Sequence, residues 1–157
     1  MNLDLYSDEL FCIQIDRYIL GQMADTDTPH NLVNHSVSDK ERFAVAISDE
    51  AGKLVGFLGI HIGAGPEAYG YVGGHYALVR DMSIDERFRG RGYGVKCFDR
   101  IFEFIHEEIS DEITTLILGV HEKNIPAQKA YEKAAFIKRE EVATGKKGKL
   151  IIMEKCK

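Results

Sequence analysis

The distribution of hydrophobic residues along this 157-residue chain separates strand-like runs from helix-like runs. Apolar runs without helical spacing predict strands at 42–48 and 54–62, and the polar sequence DEAGK between them predicts the turn of a hairpin. Further strands are predicted at 77–84, 113–120, 136–142 and 150–155. The sequence TGKKGK between the last two is typical of a turn.

Helical spacing is clearest at 93–109, where apolar residues recur on one face and charged residues occupy the other. A second helix is predicted at 124–135, opened by Asn124, and a third at 7–23. Residues 24–41 are polar and predict a loop with room for one short helix. The Gly- and Tyr-rich residues 63–76 predict either a long loop or a loose hairpin end. This order of elements predicts an α+β domain with a mixed sheet.

The composition indicates the general class of protein to which this chain belongs. The chain is 45% hydrophobic and 29% charged, as in ordinary globular domains, so we expect a single domain over residues 1–157. No apolar run approaches the roughly 20 residues of a membrane span, and no signal-peptide core is visible, so a cytoplasmic protein without membrane association is expected. Three cysteines without CxxC spacing fit reduced thiols. The histidines show no metal-ligand spacing, and no metal is expected.

Charge is divided unevenly along the chain. The net charge is −5, but residues 1–86 carry −9 and residues 87–157 carry +4. An acidic first half and a basic second half indicate two regions with different electrostatic roles.

One short stretch combines glycines and arginines where the helix at 93–109 begins: SIDERFRGRGYG, residues 83–94. A helix start exposes unpaired backbone N–H groups and partial positive charge, and glycines let a ligand approach them. The stretch therefore predicts either a socket for an anion such as pyrophosphate or a simple tight turn. It lacks the Gly-Lys-Ser/Thr of a P-loop and the third glycine of the dinucleotide fingerprint.

These residues resemble the acetyl-CoA signature of the GNAT N-acetyltransferase superfamily, Arg/Gln-x-x-Gly-x-Gly/Ala, as Arg89, Gly92 and Gly94. A second register, beginning at Arg87, also fits the bare pattern. Downstream, NIPAQKAYEKAAF is similar to the family's Asn-x-x-Ala-x-x-x-Tyr-Glu-Lys-x-Gly-Phe segment, with Ala135 in place of the glycine. The resemblance covers about residues 42–154 and is sharpest at 78–136.

The resemblance implies a single GNAT-type domain with a mixed, mostly antiparallel sheet, flanked by helices and splayed at a central parallel strand pair. The cofactor core would lie at about 77–136, and acetyl-CoA would be the co-substrate in the gap between the strands at 77–84 and 113–120. Its pantetheine arm would bind backbone groups of Met82, Ser83 and Ile84. Its pyrophosphate would lie on the N–H groups of Arg89, Gly90, Arg91, Gly92, Tyr93, Gly94 and Val95.

The same resemblance indicates catalytic candidates. Tyr131 occupies the position where many relatives carry the general acid that protonates the leaving thiolate; the alternative is a ring that only packs. Asp81 is the nearest carboxylate for a general base, or else an ion-pair partner of Arg80. A backbone N–H near Met82 or Ser83 would stabilise the oxyanion. Asn124 would orient pantetheine or a water, or simply cap its helix. His75 and Tyr76 are candidates for a proton relay, or else lie in a solvated loop.

The acceptor is the least defined part of this hypothesis. The acidic first half, with Asp25, Asp27, Glu67 and Asp81, favours a small cationic amine such as a polyamine or an aminoglycoside. The segments 24–41 and 63–76 would wall its site. A peptide or protein N-acetyltransferase and a non-catalytic acyl-CoA-binding module remain alternatives. No nucleic-acid partner is expected, and since dimers are common in the family, a homodimer is compatible with the sequence.

Overall fold

The computed structural model describes residues 1–21, 26–145 and 148–157. It contains one mixed sheet of seven strands in the order β1-β2-β3-β4-β5-β7-β6. The strands are β1 (Asn2–Leu5), β2 (Arg42–Ser48), β3 (Leu54–His61), β4 (Tyr76–Ile84), β5 (Thr115–His121), β6 (Ile137–Gly145) and β7 (Gly148–Cys156). The helices are α1 (Asp8–Asp16), α2 (Pro29–Ser38), α3 (Ala64–Glu67), α4 (Tyr93–Glu108) and α5 (Ile125–Lys133).

Every neighbouring pair of strands is antiparallel except β4 and β5, which are parallel. The parallel pair is central, since β1 to β3 lie on one side of it and β7 and β6 on the other. The crossover between the two parallel strands is α4, as parallel pairing requires. The predicted fold class, a mixed and mostly antiparallel sheet flanked by helices, is confirmed.

Alternation along β2 directs side chains to two cores on opposite faces of the sheet. Val45 and Ile47 join the larger core, which contains the apolar face of α4. Ala44 and Ala46 join the smaller core under α1 and α2. In the part of the chain that the structure describes, no helix has the length and apolarity needed to cross a membrane.

Most predicted elements are confirmed, and the differences lie in the acidic first half. The helix predicted at 7–23 ends at Asp16, and the four-residue strand β1 was not predicted. Residues 24–41 contain the whole of α2, and 63–76 contains the short helix α3 rather than a hairpin end. Positions 22–25 and 146–147, which include part of the predicted turn TGKKGK, lie outside the described residues.

The end of α5 shows how a helix can end at Ala135, where the family that the sequence resembles has a glycine. Ala135 has a φ of +67°, in the left-handed region. Its N–H donates to the Glu132 carbonyl at 3.0 Å, and the Phe136 N–H donates to the Tyr131 carbonyl at 2.9 Å, which is the Schellman pattern. The hydrogen bonds at the end of the helix are therefore the usual ones, but the alanine that makes them is strained at this φ.

Ala135→Gly is expected to raise the free energy of unfolding by about 0.5–1 kcal/mol, because glycine adopts positive φ without the steric cost of a Cβ. Chemical denaturation of the variant and the parent measures this difference. Ala130→Gly, at an exposed position within α5, is the control and should lower stability by about 1 kcal/mol. A destabilised Ala135→Gly variant would contradict the interpretation.

Candidate active site

The central gap of the sheet is created by the early end of parallel pairing. β4 and β5 pair only at Tyr76–Thr115, Ala77–Leu116 and Leu78–Ile117. Both strands continue beyond this point, and β5 remains paired with β7 as far as His121. Among the described residues, the edge of β4 that faces β5 therefore has no strand partner beyond Leu78. Its backbone groups are free to bind an extended ligand.

A β-bulge lies on β4 beside this gap. Phe57 of β3 pairs with Ser83 and Gly59 pairs with Arg80, so two residues of β4, Asp81 and Met82, oppose a single residue of β3. Asp81 has a φ of +48°, a left-handed conformation that is uncommon for any residue except glycine. Strained backbone of this kind clusters at active sites and ligand-binding segments.

The side chain of Asp81 has a hydrogen-bond partner that lies 54 residues away in sequence. Its Oδ1 accepts a hydrogen bond from the Asp27 N–H at 3.2 Å, which draws the segment before α2 over the bulge. Arg80 instead lies beside His61, with 3.3 Å between Nη1 and Nδ1. The structure describes no ion pair between Asp81 and Arg80.

The glycine loop, residues Arg89–Gly94, leads into α4. Gly92 is the residue before the helix and has a left-handed φ of +82°. The first helical hydrogen bond runs from the Lys96 N–H to the Gly92 carbonyl at 2.9 Å. Among the described residues, the N–H groups of Tyr93, Gly94 and Val95 therefore have no acceptor. They lie at the start of a 16-residue helix, a position whose free N–H groups are suited to binding an anion.

The loop lies next to the gap because Gly94 packs on β4. A Cβ added at Gly94 would lie 3.6 Å from both the Met82 Cε and the Ile84 Cγ1. The predicted pyrophosphate-binding N–H groups and the predicted pantetheine-binding strand residues are thus brought together.

The three arginines of this region have different surroundings. The guanidinium of Arg89 donates to two backbone carbonyls, of Leu20 at 2.6 Å and of Ile84 at 3.3 Å. Arg87 pairs with Asp85 at 2.7 Å. Arg91 is exposed, and its guanidinium carbon lies 5.3 Å from the centre of the Phe88 ring. Only Arg91 presents a guanidinium without a hydrogen bond within the described part of the chain.

Tyr131 lies on α5 and packs against two aromatic rings. The ring centres of Phe98 and Phe136 are 6.1 Å and 5.7 Å away, both in edge contacts. Its hydroxyl has no hydrogen-bond partner among the residues that the structure describes. Burial, with smaller contributions from Cys97 and from the Asp81 carboxylate, raises the pKa of Tyr131 to about 12. The hydroxyl therefore keeps its proton at neutral pH, within electrostatic reach of Asp81.

Asn124 caps α5, since its Oδ1 accepts a hydrogen bond from the Ala127 N–H at 3.2 Å. His75 lies at the amino end of β4, where its Nδ1 is 3.0 Å from the Glu112 carbonyl. Asp81 lies six positions further along the chain, roughly 20 Å away in an extended strand. The structure does not bring this candidate relay to the bulge. No group of His, Cys, Asp and Glu that could hold a metal ion occurs among the described residues.

The segments predicted to wall the acceptor site do lie near the gap. On one side, Asp27 contacts Asp81. On the other, the Tyr69 hydroxyl is 3.5 Å from the position of a Cβ added at Gly119 on β5, and the Tyr71 hydroxyl donates to Glu154 on β7 at 2.5 Å. Glu67 is exposed in α3, and Asp25 lies outside the described residues.

Sequence reasoning missed one residue of this region, Asp85. Its side chain is fully buried and accepts hydrogen bonds from the Ile19 N–H at 3.0 Å and from Arg87. Burial alone would raise its pKa, but the bonds from Arg87 and from the Ile19 N–H outweigh burial and lower it. The signal in the sequence is weak, because Asp85 and Arg87 are close in sequence but Ile19 is 66 residues away.

The mixed sheet with a gap at its central parallel pair is the fold shared by GNAT acetyltransferases, and the sequence comparison agrees. The chain belongs to the acetyltransferase (GNAT) family, whose family model matches residues 6–136. Comparison with curated protein sequences finds no significant match.

Solved acetyltransferase structures share the fold across almost the whole chain. Aminoglycoside acetyltransferase AAC(6')-Ib in complex with coenzyme A and kanamycin is 16% identical with a TM-score of 0.72, covering 99% of this chain and 94% of that one. A point mutant of spermidine N-acetyltransferase SpeG from Vibrio cholerae is 18% identical with a TM-score of 0.63, covering 99% and 95%. At these identities the likeness establishes the fold.

Proposed function

We propose that this protein transfers an acetyl group from acetyl-CoA to a primary amine, by direct attack of the amine on the thioester. The observation that carries the proposal is the proximity of three features, since Gly94 packs on β4 and Tyr131 lies within electrostatic reach of Asp81. The three features are the unpaired edge of β4, the free N–H groups at the start of α4, and the unpaired hydroxyl of Tyr131. Family membership makes acetyl-CoA the expected acyl donor.

The residues fit the proposed co-substrate. The extended pantetheine arm would pair with backbone groups of Met82, Ser83 and Ile84, beyond the point where β5 leaves β4. The pyrophosphate would bind the N–H groups from Arg89 to Val95, where left-handed Gly90 and Gly92 leave the backbone uncovered. Because the Arg89 guanidinium is occupied by carbonyls, its contribution here would come from its backbone.

The proposed reaction forms a C–N bond and breaks the C–S bond. The ammonium must first lose a proton, since an alkylamine has a pKa near ~10.4. Asp81 is the proposed base, directly or through water. The oxyanion would be stabilised by a backbone N–H at Met82 or Ser83, where the bulge turns the strand.

The departing thiolate would receive a hydrogen bond and a proton from the Tyr131 hydroxyl. A thiol with a pKa around 8.5 leaves more readily when its charge is neutralised. With its pKa raised to about 12 by burial, Tyr131 holds its proton at neutral pH and would donate it only as charge develops on the sulfur. The ring contacts with Phe98 and Phe136 fix its position.

We further propose that the acceptor is a small cationic amine. Residues 1–86, which carry a charge of −9, supply α1, α2, α3 and β1 to β4 on the acceptor side. Asp27 and Asp81 lie together at the bulge, and Glu67 is exposed nearby in α3. An acidic cleft concentrates cations and accelerates their association. Kanamycin and spermidine, named with the two similar structures, are candidates to test first.

Spermidine is expected to give a kcat/KM at least about tenfold above that of hexylamine, which carries a single ammonium. Raising the salt concentration from about 0.05 to 0.5 M should reduce the advantage several-fold, because the Debye length shortens. Thiol release from acetyl-CoA measures both. A preference for hexylamine, or a spermidine rate that is insensitive to salt, would contradict the cationic acceptor.

The thiol-release assay, together with calorimetry, distinguishes this proposal from the two alternative functions. Thiol release with peptides but with neither amine would indicate a peptide N-acetyltransferase. Binding of CoA in calorimetry without turnover on any amine or peptide would indicate an acyl-CoA-binding module.

A further inference from the structure

The segment Arg17–Gly21, which leads from α1 toward the acceptor side, is bound to the residues just before the glycine loop. The Ile19 N–H donates to the buried Asp85 carboxylate at 3.0 Å, and the Ile19 carbonyl accepts from the Glu86 N–H at 2.9 Å. The Tyr18 hydroxyl is 2.8 Å from the Ser83 hydroxyl. These contacts link regions more than 60 residues apart in sequence.

Arg89 makes the contact that reaches furthest along this segment. Its Nη2 donates to the Leu20 carbonyl at 2.6 Å while its Nε donates to the Ile84 carbonyl at 3.3 Å. The guanidinium also lies against Gly21, where an added Cβ would come within 3.1 Å of Nη2. One planar side chain thus joins the end of β4 to the segment Arg17–Gly21.

The same segment leads to the reacting centre. A few residues beyond Gly21, the Asp27 N–H donates to the carboxylate of Asp81 on the bulge. Leu20 and Asp27, which are seven positions apart in sequence, are thus held by Arg89 and by Asp81 respectively.

We infer that Arg89 is a positioning residue whose guanidinium fastens the segment Arg17–Gly21 to the glycine loop, so that CoA bound at the loop orders the acceptor side. This inference rests on the proposed function and deepens it. The backbone of Arg89 would bind the cofactor, and its side chain would hold the segment that leads toward the acceptor side. Lysine cannot replace it, because a single ammonium lacks the planar fork that reaches two carbonyls at once.

The decisive experiment is amide hydrogen exchange of Ile19 in the full chain, with and without CoA. In Arg89→Gln and in Arg89→Lys, the Ile19 amide should exchange at least about tenfold faster than in the wild type, because the planar fork that joins the Leu20 and Ile84 carbonyls is lost. CoA should slow this exchange in the wild type and leave it unchanged in both variants. Amides in the middle of α4 serve as an internal reference.

Arg100→Gln is a matched control. Arg100 is also exposed and also donates to a distant backbone carbonyl, that of Met1, but it lies on the outer face of α4. Its substitution should leave exchange at Ile19 unchanged. In steady-state kinetics with spermidine, the Arg89 variants should raise KM at least about tenfold while the Kd for CoA stays within about threefold.

Two results would overturn the inference. One is unchanged Ile19 exchange in the Arg89 variants. The other is a loss of CoA affinity in Arg89→Gln that Arg89→Lys restores, which would assign the guanidinium to the phosphates by its charge. A wild-type protein that binds no CoA would instead overturn the proposed function. The exchange rates measured without CoA would still test whether the Arg89 side chain holds the segment Arg17–Gly21 in place.

Discussion

Tyr131→Phe is expected to lower kcat by about 10²-fold or more while the Kd for acetyl-CoA changes little. The substitution removes only the hydroxyl oxygen, which has no hydrogen-bond partner in the described part of the chain. The ring contacts with Phe98 and Phe136 remain, so the fold and the cofactor gap should persist. Single-turnover rates at saturating acetyl-CoA, together with calorimetry, measure the two quantities separately.

Tyr6→Phe is a suitable control, because the Tyr6 hydroxyl bonds to the exposed Asp8 at 2.8 Å, away from the gap. It should turn over at the wild-type rate. Wild-type turnover by Tyr131→Phe as well would assign Tyr131 to packing alone, and the thiolate would then leave without its help.

Gly92→Asp is expected to weaken acetyl-CoA binding at least tenfold, about 1.4 kcal/mol. The aspartate would place a side chain and a negative charge beside the N–H groups at the start of α4, where the pyrophosphate is proposed to bind. A Cβ at this position meets only the end of the Lys96 side chain, at 3.7 Å, so the protein has room for the change. Calorimetric titration with acetyl-CoA provides the measurement.

Backbone strain must be separated from this effect, since Gly92 has a left-handed φ. Gly52→Asp supplies the comparison: Gly52 has a φ of +78° in the turn between β2 and β3, with no atom within 4 Å of an added Cβ. Both variants should lose similar thermal stability, but only Gly92→Asp should lose affinity. An affinity for acetyl-CoA equal to that of the wild type, in a folded Gly92→Asp variant, would contradict pyrophosphate binding at the start of α4.

Local signals in the sequence were sufficient to predict the helices that are proposed to lie beside the cofactor. The apolar spacing of α4 and the cap at Asn124 are short-range properties, and both helices begin within one residue of the expected position. The gap between β4 and β5 was expected only from the family resemblance. The roles of Tyr131, Asp81 and the glycine loop remain predictions.

The structure of the acceptor side could not be predicted, because it depends on contacts between residues that are far apart in sequence. Residues 18–20 continue the apolar spacing of α1, yet they leave the helix because Tyr18 and Ile19 bond to Ser83 and Asp85. The contact of the Arg89 side chain with the Leu20 carbonyl could not be predicted, because the two residues lie 69 positions apart in sequence. No periodicity in the sequence encodes such contacts.

The short parallel pairing of β4 and β5 also has a mechanical consequence. Three residue pairs join β1–β4 to β7 and β6 through β5, whereas seven pairs hold β5 to β7. The sheet is thus two well-paired halves joined by three residue pairs at Tyr76–Leu78. A rotation about this narrow connection would change the gap least beside Tyr76–Leu78 and most at its open end, where α4 begins, and would leave the pairing within each half intact.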